Sequence, residues 1–458
     1  MKNIVVFPID NRPVCYDLIK MISSLDKQNQ VFLPDISLLG DLSKMADVEA
    51  LLDWFESLSD IDYIIVSLDT IAYGGLVSSR RSNDDIVQIK DRINRFFEVV
   101  NRKNAKVFAF SSIMRISNNN INEEEKEYWK DYGEKIFKYS FDSHKLSLNG
   151  EKLICDIPQE ILDDYLNTRK RNFEVNKYYI DLKRQGLIDT LAFSKDDCAE
   201  FGFNVQEANE LCDLTVEDEN IFIKTGADEI PLSLLSRALN KDKQVKIAPV
   251  NTQKESIDKI SKYEDISVKK SVESQIELCG GFVSDYGNCD LVLLVNNFKN
   301  QQGELVMNVF EQLFDADVPV FDKPFFVADI LNANGSDNNF VDKLLKVNFD
   351  NFYGYAGWNT TGNTLGCVIS SALTYFSAKL PDKDMFERLQ VVRFLDDWGY
   401  QANVRSEIRD DKVNLQNDVL SIKMKDFEKV VFDKFNKQNI QVKYSYPWDR
   451  FFEIRVEL

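Results

Sequence analysis

Short runs of β-branched and aromatic residues alternate along this chain with longer segments of helical periodicity. This alternation is typical of β/α units, in which helices connect parallel strands, and it predicts an α/β fold. The predicted strands are residues 4–8, 63–68, 106–110, 190–193, 221–225, 245–250, 266–269, 291–295, 318–321 and 352–355. The predicted helices include residues 48–58, 86–100, 205–211, 232–239, 305–314 and 365–376.

The number of predicted strands favours two sheets. Ten strands fit two open, doubly wound parallel sheets more easily than the eight units of a (β/α)8-like barrel, which remains the alternative. Residues 118–184 have helical patterning without a strand, which predicts a helical insertion. We therefore expect an N-terminal α/β domain with this insertion (1–215), a second α/β domain (216–380) and a C-terminal helical segment with a final strand (381–458).

The charge composition excludes several kinds of partner. With 56 Lys and Arg against 75 Asp and Glu, the net charge is −19, which should repel nucleic acid and anionic membranes. No stretch approaches about twenty apolar residues, and Lys2 leads directly into a predicted strand, so we expect a cytoplasmic protein. The seven cysteines form no C-x-x-C pair, which suits reduced thiols. The sequence does not define an oligomeric state.

A single histidine, His144, limits the chemistry that the chain can perform. It excludes a His-rich zinc site, and it lies in a polar stretch without the signature of a catalytic nucleophile beside it. The sequence has no G-x-G-x-x-G or Walker motif for a nucleotide. Carboxylates could hold Mg²⁺ or Ca²⁺, but no ligand spacing specifies a metal, so we predict no cofactor.

Acidic residues follow several predicted strands, and ligands of parallel sheets bind at the carboxyl ends of the strands. Glycoside hydrolysis uses two carboxyl groups, one as acid and one as nucleophile or base. We expect Glu229 to be the acid, and Asp69 or Asp228 to be the nucleophile or base. Asp10 is a further partner, with Asp196 or Asp197 as second choices. Adjacent acids at a helix start could equally stabilise the helix dipole.

Three arginines follow the first strands, namely Arg12, Arg80 and Arg115. Their guanidinium groups could clamp a carboxylate or phosphate of a substrate, or they could neutralise the neighbouring aspartates. Tyr73 belongs to the same strand-end sequence and is a candidate substrate contact. The glycines that follow it, Gly74 and Gly75, would permit close approach of a ligand or relieve a tight turn.

The most distinctive sequence, G-W-N-T-T-G-N-T-L-G, lies at residues 357–366. Trp358 could stack on a sugar while Asn359 and Asn363 bind its hydroxyl groups. The alternative is a buried tryptophan followed by a capped helix. A structural ion network is predicted for a group of residues at helical spacing, Arg393, Asp396, Asp397 and Tyr400.

Five of these motifs together resemble a known family. They are D-x-R-P from Asp10, D-x-x-A-Y-G-G-L-x-x-S-R from Asp69, G-A-D-E from Gly226, G-W-N-T-x-G-N-x-L-G from Gly357 and P-W-x-R-x-F-E from Pro447. They are similar to motifs of a bacterial family of uncharacterised proteins, domain of unknown function four-one-two-seven. The resemblance spans nearly the whole chain. It implies a bacterial enzyme associated with carbohydrate use, but it supplies no catalytic residues.

These observations predict a carbohydrate-active hydrolase, a glycosidase acting on a small sugar or amino-sugar derivative. One alternative is a hydrolase or lyase that uses Mg²⁺ held by Asp10, Asp69 and Asp228. The other is a sugar-binding protein without catalytic activity. The sequence specifies neither the sugar nor its linkage.

Overall fold

The computed structural model describes residues 1–147, 156–310, 316–410 and 415–458. It is a mixed α/β structure with two parallel sheets flanked by helices, so the predicted fold class is confirmed. The strands are β1 (Lys2–Phe7), β2 (Asn29–Phe32), β3 (Tyr63–Ser67), β4 (Lys106–Ile113), β5 (Thr190–Lys195), β6 (Ile221–Thr225), β7 (Lys246–Asn251), β8 (Phe282–Val283), β9 (Leu291–Asn296), β10 (Gly303–Glu304), β11 (Phe325–Asp329), β12 (Asn332–Ala333), β13 (Phe352–Ala356), β14 (Lys443–Ser445) and β15 (Arg455–Glu457).

The helices connect these strands and extend the chain beyond them. They are α1 (Asp17–Ser23), α2 (Val48–Ser57), α3 (Leu68–Tyr73), α4 (Leu76–Arg81), α5 (Ile86–Lys103), α6 (Trp129–Ser147), α7 (Gln159–Arg184), α8 (Phe203–Leu214), α9 (Ile230–Asn240), α10 (Val268–Leu278), α11 (Asn338–Leu344), α12 (Thr361–Phe376), α13 (Lys383–Arg393), α14 (Arg405–Asp410), α15 (Asn417–Lys423) and α16 (Lys425–Phe435). A π-helix, Phe394–Val404, lies between α13 and α14. Within the described ranges, no helix combines the length and the apolar character needed to cross a membrane.

The first sheet has the strand order β2-β1-β3-β4-β5-β6, and all of its neighbouring strands are parallel. All five residues of β3 are buried, as expected for a strand that is covered on both faces. Apolar residues of α2, α5 and α7 pack with those of the strands in one hydrophobic cluster. At the start of α5, Asp85 and Gln88 form a capping box, which explains why the helix begins there.

The second sheet has the order β8-β7-β9-β11-β13 and is also parallel. In each sheet the first strand along the chain lies between the second and the third. The direction of strand progression therefore reverses beside β1 in the first sheet and beside β7 in the second. Ligands of open α/β sheets bind at the carboxyl ends of the strands at such a switch point.

The chain forms two compact units, each containing one of the two large parallel sheets. Unit 1 consists of residues 1–16, 29–234 and 263–265, and unit 2 consists of residues 17–28, 235–262 and 266–458. The three-domain division of the sequence remains a prediction, because compactness does not decide which segments fold independently. Residues 118–184 contain α6 and α7, whose buried Trp129 and Tyr165 belong to a separate hydrophobic cluster.

Three predicted elements are wrong. Residues 266–269 are not a strand, because Ser267 caps α10 and the helix begins at Val268. Residues 318–321 are not a strand either: Val320 is 92% exposed, and the strand lies further on, in β11. Residues 305–308 form a turn rather than a helix, since β10 immediately precedes them, and residues 311–314 of that predicted helix lie outside the described residues.

Candidate active site

A network of charged side chains lies at the carboxyl edge of the first sheet. Arg12, from the loop after β1, donates through Nε to Asp10 at 2.9 Å and through Nη1 to Asp228 at 3.1 Å. Its Nη2 binds the second oxygen of Asp228, so the guanidinium holds this carboxylate with both terminal nitrogens. Because β3, β4 and β5 lie between β1 and β6, the two loops must lean over the ends of those strands to meet.

Arg80 and Arg115 form a second part of this network. Arg80 Nη1 lies 2.7 Å from Glu125, and Arg115 lies 3.0 Å from Glu124 and 3.1 Å from Glu125. All three predicted anion-binding arginines therefore contact carboxylates of the chain itself. Both glutamates escaped the sequence analysis because they follow no predicted strand.

Asp196 and Asp197, from the loop after β5, form the more open part of the network. Arg115 Nη1 lies 3.5 Å from Asp196 Oδ2 and 3.6 Å from Asp197 Oδ2. Their side chains are 21% and 31% exposed. Burial, together with the neighbouring charge of Asp197, raises the pKa of Asp196 to about 7. Ser117 donates its hydroxyl to Asp197 Oδ2 at 3.0 Å.

Asp69 is buried beside the same network. Its Oδ2 accepts a hydrogen bond from the backbone N–H of Ser112 at 2.8 Å. Burial raises the pKa of Asp69 to about 7, while the hydrogen bonds from Ser112 and the charge of Arg80 oppose this increase. Tyr73 is also buried, and the guanidinium of Arg171 lies 5.5 Å from its ring centre.

Gly226 and Glu229 form a tight turn at the start of α9. Glu229 is fully buried, and its Oε2 accepts a hydrogen bond from the N–H of Ala227 at 2.9 Å. Gly226 has φ +125°, and a Cβ atom at this position would overlap with the Glu229 carboxyl group. Burial and the charge of Asp228 raise the pKa of Glu229 to about 8. The carboxyl group thus occupies space that only a glycine leaves open.

Asp265 also reaches this edge of the first sheet, from a segment distant in sequence. It forms an ion pair with Lys195 at the end of β5 and accepts the Thr225 hydroxyl at 2.8 Å. Residues 266–269 have the composition of a strand, and the residue before them belongs to no functional motif. Asp265 reaches the first sheet only through the tertiary fold, so no local sequence pattern could have identified it.

Unit 2 has its own polar network at the carboxyl edge of its sheet. The Thr252 hydroxyl donates to Asn296 Oδ1 at 3.3 Å, and Asn296 donates to Asp329 at 2.9 Å. Asp329 also accepts the Tyr355 hydroxyl at 3.1 Å. Burial and the charge of Asp337 raise the pKa of Asp329 to about 7. The chain of hydrogen bonds runs across the ends of β7, β9, β11 and β13.

Trp358, Asn359 and Asn363 belong to unit 2. Trp358 is 2% exposed, and its ring lies edge-on to Phe452. Thr360 caps α12 by accepting the N–H of Asn363. Asn359 has φ +56° and accepts the N–H of Asn334 through its carbonyl. Since the ring of Trp358 is covered in this structure, its role as a sugar platform remains a prediction.

The sequence group at residues 393–400 lies where α13 passes into the π-helix. Arg393 pairs with Asp396 at 2.7 Å and with Asp397 at 3.3 Å. Asp397 in turn accepts the N–H of Gly357 at 2.8 Å, and the Tyr400 hydroxyl donates to the carbonyl of Phe451. These contacts are those of a structural ion network, although the helix that carries them is of the π type.

The clustered carboxyl groups do not form a metal site in the part of the chain that the structure describes. No group of three or more His, Cys, Asp and Glu side chains has the arrangement needed to hold a metal ion there. His144 is buried, and its Nδ1 accepts the N–H of Gly202 at 3.1 Å. Six cysteines are described, and all six are free thiols.

The comparison with known proteins agrees with the five motifs. A family model described as "Protein of unknown function (DUF4127)" matches residues 4–457, essentially the whole chain. The chain belongs to the DUF4127 family. No curated protein matches the sequence. Membership of DUF4127 assigns no activity, so a function for this chain must be argued from its own side chains.

Proposed function

We propose that this member of DUF4127 is a hydrolase of small carbohydrates, a glycosidase-like enzyme with Asp196 as its acid. The supporting observation is that Asp196 combines a pKa of about 7 with a side chain that is partly exposed to solvent. A glycosidase needs one carboxyl group that is protonated near neutral pH and can reach the leaving oxygen of the substrate. Glu229 also has a raised pKa, but it is fully buried in its own turn.

Asp197 is the partner carboxylate in this proposal. The oxygens of Asp196 and Asp197 both lie within 3.6 Å of Arg115 Nη1. They are therefore no more than about 7 Å apart, which does not exceed the roughly 9.5 Å upper limit of carboxyl pairs that hydrolyse glycosides. Of the residues that the sequence favoured, Asp228 lies close enough for its charge to raise the pKa of Asp196 further.

The balance of charge favours an amino sugar over an acidic one. Three guanidinium groups face seven carboxyl groups in the network, Asp10, Asp69, Glu124, Glu125, Asp196, Asp197 and Asp228. Asp69 and Asp196 have a pKa of about 7, which still leaves five other carboxyl groups against three guanidinium groups. Because each arginine already contacts carboxylates, an anionic substrate would have to displace one of them. An ammonium group on the sugar would instead meet an excess of negative charge.

The test is hydrolysis of 4-nitrophenyl glycosides of glucosamine and of glucose, in both anomeric forms, by the full chain. We expect nitrophenol release from a glucosaminide to exceed that from the matching glucoside. Asp196→Asn should lower kcat about 100-fold or more, since it removes the acid. The matched control, Asp213→Asn on an exposed position of α8, should leave kcat unchanged.

The dependence of kcat on pH distinguishes a catalytic acid role of Asp196 from a purely structural one. In the wild type, kcat should fall as pH rises through about 7, because Asp196 then loses its proton. Full activity of Asp196→Asn would refute the assignment. Binding of the glucosaminides without any release of nitrophenol would favour the sugar-binding alternative.

A further inference from the structure

The last residue of β7 and the loop after it, in unit 2, contain two polar atoms that have no partner among the described residues. Asn251 Oδ1 and Gln253 Nε2 are both shielded from water, and neither forms a hydrogen bond with the described residues. A buried donor or acceptor without a partner costs free energy, so native proteins rarely leave one unsatisfied. Here an acceptor and a donor lie two residues apart.

The neighbouring side chains of Thr252 and Asn297 do form hydrogen bonds. The Gln253 backbone N–H donates to Asn297 Oδ1 at 2.8 Å, and Asn297 Nδ2 returns a bond to the Gln253 carbonyl at 3.0 Å. Asn297 also donates its N–H to the Thr252 hydroxyl at 3.1 Å. The ends of β7 and β9 are thus joined, while the two side-chain atoms remain unused.

The position of this loop in the sheet is that of a ligand site. β7 is the strand at which the order of the second sheet reverses, and the loop leaves from its carboxyl end. The short strand β8 pairs only with Lys246 and Ile247, the first two residues of β7. On the side of β8, the carboxyl half of β7 therefore has no strand neighbour. Residues 249–253 are all half-buried, which places them at the edge of the protein interior.

We propose that unit 2 binds a small uncharged polyhydroxylated molecule, a sugar or polyol, through Asn251 and Gln253. The hydroxyl groups of such a molecule can donate to Asn251 Oδ1 and accept from Gln253 Nε2. The unused atoms belong to uncharged amide groups, so they give no preference for an ionic ligand. Asn251 and Gln253 belong to unit 2, whereas the carboxyl network belongs to unit 1, and this proposal does not depend on the hydrolase proposal.

Calorimetric titration of the full chain tests this proposal with three neutral probes, D-glucose, N-acetyl-D-glucosamine and myo-inositol. We expect at least one probe to bind, with a Kd of about 1 mM or below. Gln253→Ala and Asn251→Ala should each weaken that binding about five- to tenfold, the effect of one or two lost hydrogen bonds. The side-chain atoms that these variants remove have no partner in the fold, so unfolding is not expected.

Two control variants make the result specific. Asn351→Ala removes the same type of side chain from an exposed position just before β13, at the opposite edge of this sheet, and should bind the probe normally. Asp196→Asn should also bind it normally, which separates this site from the proposed hydrolase site. Absence of binding by all three probes, or binding that survives both Gln253→Ala and Asn251→Ala, would overturn the proposal. In either case an ordered water would be the partner of the two atoms.

Discussion

Arg12 binds both carboxylate oxygens of Asp228, a residue 216 positions further along the chain. The same guanidinium also contacts Asp10, and all three side chains are buried. The ion pair joins the loop after the first strand of the sheet to the loop after the sixth. Removing one member leaves a buried charge without its partner, which is costly in protein interiors.

We therefore expect Arg12→Ala to lower the free energy of unfolding by about 3–5 kcal/mol. Arg12→Lys keeps the charge but cannot bind two oxygens at once, so its loss should be smaller. Urea unfolding measures both. Arg95→Ala is the control, because Arg95 pairs with Glu49 on the surface, where such pairs contribute about 1 kcal/mol or less. Equal losses for Arg12→Ala and Arg95→Ala would contradict the structural role of the buried pair.

The raised pKa of Asp69 should make the free energy of unfolding depend on pH. Its folded-state pKa of about 7 is above the ordinary value, so between about pH 4 and pH 7 the folded state holds a proton that the unfolded state has lost. The Asp69 contribution to stability therefore falls as pH rises through this window. The stability of Asp69→Asn relative to the wild type should therefore rise by at least about 1 kcal/mol between pH 5 and pH 8. Urea unfolding at the two pH values is the measurement, and a difference that does not change with pH would disprove this origin.

Gly226 and Glu229 should be energetically coupled. Gly226→Ala places a Cβ atom against the Glu229 carboxyl group at φ +125°, and it should cost about 2–4 kcal/mol of stability. Truncating Glu229 to alanine in the same chain removes the overlap, so the double variant should lose less than the sum of the single variants. Gly186→Ala is the control for backbone strain alone. Gly186 has φ +81°, and no atom lies within 4 Å of the Cβ atom that the alanine would add. Additive losses would mean that the two residues do not interact.

Metal removal distinguishes the proposed hydrolase from its metal-dependent alternative. Carboxyl groups alone suffice for the proposed reaction, so glucosaminide hydrolysis should continue at the same rate after dialysis against EDTA. The measurement is kcat before dialysis, after dialysis and after addition of Mg²⁺. Loss of activity with EDTA and its recovery with Mg²⁺ would favour a metal held by carboxylates.

Much of the fold was predictable because its strands carry their signal locally. The buried β-branched run of β3 and the alternation with helices indicated parallel sheets without further information. The strand predicted at residues 318–321 is wrong because these residues resemble a strand only in composition, and Val320 is exposed to solvent. The strand comes only after Pro324, which cannot donate a hydrogen bond to a sheet.

The candidate site was predictable at the ends of strands and nowhere else. Asp10, Asp69 and Asp228 were found because parallel strands bring their carboxyl ends to one edge. Glu124 and Glu125 lie in a loop whose position depends on long-range ion pairs with Arg80 and Arg115. The unused amide atoms of Asn251 and Gln253 could not be found from sequence, because a missing partner is a property of three-dimensional packing.

The return of Asp265 to unit 1 has a consequence for synthesis of the chain. The residue that binds Lys195 and Thr225 is made 40 residues after Thr225, when every strand of the first sheet has already been translated. At about 5–20 residues per second, the ribosome needs about 2–8 seconds to produce this segment. During that time the ammonium group of Lys195 must remain in water or find another partner. The nascent first sheet can therefore form its strands early, but its carboxyl edge can close only after residue 265 has left the ribosome.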